Sequence, residues 1–241
     1  MYAVLVSPMN LGIRARSLRG LAAGVVAAAI VAGTVSGTCF DPNHEGALRA
    51  YDPSGSTTGV KGREDLVSAT VQAGRGIAHP LQVYSPTTYD WFGWGTAKGV
   101  GVDDCPDYYG SGWQVYVDGV AFDLYFCDSP YATLAGNAQD QTFQVHYSTC
   151  PFFPYTVQWT FRWAGVYKTC RANSFTSAAF YLAGSESIGT LADQNLDVHW
   201  ETMKYLNSSY AWVNWGAGLN CFDPPYRVRV INNTDFWTEL P

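Results

Sequence analysis

At 241 residues the chain is long enough to bury a substantial core as one domain, and it is 47% hydrophobic and 15% aromatic but only 14% charged. That balance excludes a disordered chain or a coiled coil. With 14 basic against 20 acidic residues the formal charge is −6, which repels nucleic acid phosphates and anionic lipid and sets both aside as partners.

Residues 1–37 read as a secretory signal peptide. Arg14, Arg16 and Arg19 precede an apolar run over 21–32, and small residues follow as far as Gly37. A run of about 12 residues falls well short of the ~20 that a membrane span needs, so no membrane insertion is expected once the leader is cut after Gly37. Cleavage removes three arginines and no acid, leaving 11 basic against 20 acidic residues and a net charge of −9. The mature chain is expected to be secreted, extracellular and monomeric. Cys39, Cys105, Cys127, Cys150, Cys170 and Cys221 all follow the cut. An even set in an exported chain reads as disulfides, with the pairing left open by the spacing. There is no Cys-x-x-Cys pair, and neither a bound metal nor a cofactor is expected.

Residues 38–80 are rich in Gly, Ser, Asp and Pro and read as an irregular N-terminal arm; 81–241 read as a single domain. Its first short strand is Leu81-Gln82-Val83-Tyr84. The strongest local signal lies over 112–127. Trp113, Val115 and Val117 alternate with Gln114 and Tyr116, Asp118-Gly119 follows, and alternation resumes through Val120, Phe122, Leu124 and Phe126 against Ala121, Asp123 and Tyr125. Two alternating runs around Asp-Gly predict a hairpin turning at that pair.

Further on, Phe143, Val145 and Tyr147 alternate with polar residues, and Tyr155, Val157, Trp159, Phe161 and Trp163 make the most regular run in the chain. Residues 166–170 return from it. Residues 175–183 read as a strand buried on both faces, and 184–196 as a polar loop. Val198, Trp200 and Thr202 then alternate with His199, Glu201 and Met203, and short strands over 210–215, 226–231 and 236–240 close the chain. About ten short strands with no crossover helix predict an all-β fold, an antiparallel β-sandwich of concanavalin-like or jelly-roll-like type stapled by disulfides.

The chemistry is less marked. No Gly-x-Ser-x-Gly elbow, phosphate-binding loop, His-Glu-x-x-His or EF-hand loop is present. His146 and His199 read as half-exposed sheet histidines, and Asp103, Asp104 and Asp107 as a solvated turn rather than a calcium loop. Trp91, Trp94, Tyr108 and Tyr109 flank Gly-rich turns, and Tyr116 and Tyr125 lie on the polar face of the hairpin. Flat rings of this kind can present an apolar face to a sugar or a peptide side chain at low entropy cost.

The order of segments also resembles the glutamic peptidases of the eqolisin type and the related neprosin-like secreted domains. Gly112-Trp113-Gln114-Val115 stands where their glutamine strand would be. Residues 122–131 resemble the aromatic segment that follows, and Gln139-Asp140-Gln141-Thr142-Phe143-Gln144-Val145 the next strand. The resemblance implies a general-base glutamate paired with an amide that stabilises an oxyanion, and so points to Gln114. The strand that would carry the glutamate reads Ser177-Ala178-Ala179-Phe180-Tyr181-Leu182-Ala183. The nearest acid is Glu186, in the expected loop. The leading expectation is therefore a secreted sandwich that binds extracellular glycan or protein through an aromatic-lined surface. The alternatives are an acid endopeptidase using Gln114 and Glu186, and a passive surface structural protein.

Overall fold

A period-two pattern makes strands here because each strand can bury one face against a second sheet and turn the other outward. The computed structural model describes residues 44–55, 57–66, 71, 75–88, 90–99, 110–122, 124–134, 140–152, 157–164, 166–171, 174–188 and 197–241. Among them are fifteen strands and no helix. The expected leader, Cys39, Cys105, Tyr108, Tyr109 and the acidic loop of Asp103, Asp104 and Asp107 lie outside the described residues.

In chain order the strands begin with β1 (His44–Tyr51), β2 (Gly59–Leu66), β3 (Gly76–Tyr84), β4 (Trp91–Gly99) and β5 (Gly110–Ala121). They continue with β6 (Leu124–Thr133), β7 (Asp140–Thr149), β8 (Val157–Trp163), β9 (Val166–Arg171) and β10 (Phe180–Ile188). The last are β11 (Val198–Leu206), β12 (Trp212–Asn214), β13 (Leu219–Phe222), β14 (Arg227–Asn232) and β15 (Asp235–Glu239).

All pairings among the named strands are antiparallel. One sheet has seven strands in the order β13-β1-β10-β3-β4-β5-β6. The other runs β14-β15-β11-β2-β7-β8-β9, with β12 added to β11. Their inner faces meet in one core containing Leu81, Val83, Phe92, Trp94, Trp113, Val115 and Val117 from the first sheet. Phe143, Val145, Trp159, Phe161, Val198, Trp200 and Phe236 face them from the second. The expected sandwich is the observed fold. Cys150–Cys170 ties the end of β7 to β9, and Cys127 and Cys221 are also disulfide-bonded.

Several local expectations are corrected. Part of the presumed arm forms β1 and β2, both central strands: β1 lies between β13 and β10, and β2 between β11 and β7. The hairpin over 112–127 exists, but it does not turn at Asp118-Gly119. Ala121 pairs with Leu124, so the chain reverses over the two intervening residues, the first being Phe122 with φ of +54°. Gly119 is a strand residue whose missing Cβ matters: one placed there would lie 2.4 Å from the Trp91 carbonyl oxygen. In β11 the register shifts after Glu201, and Thr202 takes φ of +53°. That bulge turns Met203, not Thr202, into the core.

One polar group bridges the sheets. Glu64 on β2, His79 on β3 and Thr96 on β4 are all fully buried. His79 Nδ1 lies 2.7 Å from Glu64 Oε1, the Thr96 hydroxyl donates to the same oxygen, and the Trp113 ring covers the imidazole at 4.7 Å.

Candidate active site

The outer face of the seven-stranded sheet is a grid, because residues directly opposite one another in antiparallel strands point the same way. Along one rung Glu186 pairs with Ala78, Ala78 with Ala97, and Ala97 with Gln114. In the next, Pro80 pairs with Gly95 and Gly95 with Tyr116. A third runs Leu182, Gln82, Gly93, Asp118 and Cys127, and a fourth Phe180, Tyr84, Trp91, Val120 and Tyr125. The middle of the grid is therefore floored by Ala78, Ala97, Gly93 and Gly95, with longer polar side chains on either side. Gln114 and Tyr116 are recessed, at 8% and 2% exposure, while Glu186 is half-buried.

Glu186 is thus on a strand and not in a loop. β10 continues through Gly184, Ser185, Glu186 and Ser187, held by β1 on one side and β3 on the other. The segment looked like a loop because its residues are small and polar, but each has a place. Ser185 points between the sheets and donates to Thr238 Oγ1 at 2.8 Å. A Cβ on Gly184 would lie 2.2 Å from the Ala47 carbonyl oxygen. With Ser185 inward, Glu186 falls outward on the face of Leu182 and Phe180.

The electrostatics connect the rungs. Burial raises the Tyr116 hydroxyl well above the ordinary phenol range, and Asp118 and then Glu186 push it further. Tyr84 is raised in the same way by burial, then by Glu186 and Asp118. Both phenols therefore stay protonated and can donate; Tyr84 donates to Gln82 Oε1 at 2.8 Å. A carboxylate, an amide and two protonated phenols over a floor of small residues can activate a water and stabilise an oxyanion on a bound carbonyl.

Of the residues singled out from the sequence, Gln114, Glu186, Tyr116 and Tyr125 share this face. Trp91 lies at its far end, buried and stacked on Tyr84 with ring centroids 6.1 Å apart. Trp94 points the other way and is buried between the sheets against Phe143 at 5.0 Å, so it has no face to offer a ligand. Asp118, Gln82 and Tyr84 were not anticipated. The first was taken for a turn residue; the other two could have been found by carrying the Leu81/Val83 alternation through to their side.

Elsewhere, Asp65, His199 and Glu201 come within 4.8 Å of one another. Arg63 pairs with Asp65 at 3.2 Å and Glu201 at 2.6 Å. His199 bonds Asp65 at 3.0 Å and Asp235 at 2.6 Å. That is an ion-pair network whose positive charge comes from the protein itself. His146, expected to be half-exposed, is buried, and burial followed by Arg162 lowers its pKa to about 4.

No family model matches the sequence, and no curated protein matches it. Among solved structures, the chain is similar to scytalido-glutamic peptidase with a transition state analog inhibitor. The identity is 12%, with 83% of this chain and 98% of that one covered and a TM-score of 0.50. The fold is that of the glutamic peptidases. A second structure of scytalido-glutamic peptidase, with a peptide-based transition state analog, is 10% identical with a TM-score of 0.49, again covering 83% and 98%. SCP-B, a member of the eqolisin family in complex with Ala-Ile-His, is 12% identical with a TM-score of 0.45 over the same shares. Within the glutamic-peptidase fold, the Cys150–Cys170 disulfide fits a protein that works in an oxidising, extracellular setting.

Proposed function

We propose that this chain is a secreted endopeptidase of the glutamic type, with Glu186 as general base and acid and Gln114 as oxyanion donor. The observation that carries this reading is the shared rung: Glu186 and Gln114 face the same side of one sheet with only Ala78 and Ala97 between them. A peptide laid over those alanines would have its carbonyl between the two side chains. Glu186 takes a proton from water as the water oxygen bonds to the carbonyl carbon, and the carbonyl electron pair becomes the oxyanion. The Gln114 side-chain N–H donates to that oxyanion. Glu186 then returns its proton to the amide nitrogen as the C–N bond breaks, leaving a carboxylic acid and an amine.

The glycan-binding alternative at Trp91 and Trp94 has less behind it, since one ring is in the core and the other is stacked against Tyr84. The test is cleavage of a denatured protein substrate by the purified chain from acid to neutral pH. Glu186→Gln should remove activity by roughly 100-fold or more, and Gln114→Ala by about 100-fold. Cleavage that persists in Glu186→Gln, or its absence at every pH in the folded wild type, would overturn the assignment.

A further inference from the structure

The outer face of the other sheet carries a second feature, with no part in the proposed hydrolysis. Across four strands, one rung runs from Lys204 on β11 to Lys61 on β2, Gln144 on β7 and Arg162 on β8. Three cations are thus aligned with no acid in the rung, on a chain whose formal charge is −6. Like charges opposite one another in a sheet repel, and the cost shows: burial lowers the pKa of Lys61, and Lys204 and Arg162 lower it further. Beside the row lies a cavity of about 630 Å³ lined by Gln144, His146, Arg162, Tyr210 and Trp212 among others. The Lys61 ammonium sits 4.5 Å over the Trp212 ring. Tyr210 is 74% exposed and holds φ of +58°, a backbone conformation that suits glycine or asparagine far better than tyrosine.

From this row of cations beside a groove with an exposed aromatic ring, we infer a binding site for an anionic sugar polymer. Lys61, Lys204 and Arg162 would take carboxylate or sulfate groups, and Tyr210 the apolar face of a ring; the Gln144 amide nitrogen bonds His146 Nδ1 at 2.8 Å, and its oxygen would accept from a sugar hydroxyl. Neighbouring strands lie about 5 Å apart, so the three cations would address charges repeated along a chain rather than one isolated anion. The site would hold the protein on an acidic matrix while leaving the opposite sheet free.

The test is affinity electrophoresis and calorimetry of the full chain at neutral pH with polygalacturonate, heparin and uncharged dextran, with single-stranded oligothymidylate as a control polyanion. Binding to polygalacturonate or heparin but not dextran, weakening as salt is raised, is expected; which of the two is preferred identifies carboxylate or sulfate. The Lys61→Gln/Arg162→Gln double variant should bind roughly tenfold or more weakly. Tyr210→Ala should weaken binding with no change in circular dichroism, and it serves alone if the double variant does not fold. Absence of binding, equal binding in all variants, or oligothymidylate binding as tight as the sugars would overturn the site. Peptide cleavage should be unchanged by Tyr210→Ala, so the two proposals fail separately.

Discussion

Gln114 and Glu186 stand at the two ends of one rung, three strand spacings apart, with only methyl side chains between them. That spacing is about 14 Å from backbone to backbone, which suits two long side chains reaching towards one polypeptide laid between them. The alanines keep the interval open, and enlarging one should close it. Ala97→Leu is expected to reduce kcat/KM for a protein substrate by roughly 100-fold while costing about 1–3 kcal/mol of stability from overpacking. Parallel kinetics and urea melts check both figures.

Tyr84 and Gln82 support the same face from one strand. Tyr84→Phe removes the donor to Gln82 Oε1 and should cost about 1 kcal/mol. The expected fall in urea midpoint, with an unchanged slope, separates a lost hydrogen bond from a loosened fold.

The buried Glu64–His79 pair predicts how stability follows pH. Burial raises the Glu64 pKa in the fold, opposed by its bonds to His79 and Thr96 and reinforced by Asp65. An acid that holds its proton more tightly when folded contributes stability fully below its unfolded pKa and loses it as pH rises through the folded value. Glu64 therefore favours the fold in acid. Glu64→Gln should flatten the fall in stability above about pH 4.5, measured by denaturant melts from pH 3 to 8.

His146 works in the opposite sense. Its pKa is lowered to about 4 by burial and Arg162, so its contribution is present above its unfolded pKa and is lost as pH falls through the folded value. The shift corresponds to about 3 kcal/mol at most. His146→Gln should lose less stability than the wild type between about pH 6.5 and pH 4. An identical acid-side slope in the two proteins would refute this.

The Cys150–Cys170 bridge spans a sequence separation of 20 residues. Replacing both cysteines with alanine should cost about 3 kcal/mol and lower Tm by on the order of 10 °C. Thr202→Gly should move the other way. A β-branched residue at φ of +53° is strained, and glycine should recover about 1 kcal/mol.

Much of this architecture was legible in the sequence, where alternation and burial coincide. Trp159 and Phe161 on β8, and Trp113, Val115 and Val117 on β5, fall on the expected inner faces. The errors share a cause: small and polar residues mark turns in general, but here they also fill tight places inside sheets. Gly119 lets β4 approach, and Gly184 lets β1 approach. Ser185 satisfies its hydroxyl between the sheets. β1 and β2 were missed because charged residues interrupt their apolar ones, although both strands are flanked on two sides. The placement of Glu186 and Gln114 on one rung depends on register across four strands, which no local pattern in either segment encodes.

Because β1 is seated between β10 and β13, residues near 44 must find partners near 180 and 220 before the seven-stranded sheet is complete. The face that carries Glu186 therefore cannot form on a partly synthesised chain, and closing such distant contacts is slow. The same arrangement sets a limit on trimming. A cut within 44–51 would strip the strand that flanks β10 and unfasten the glutamate from its place.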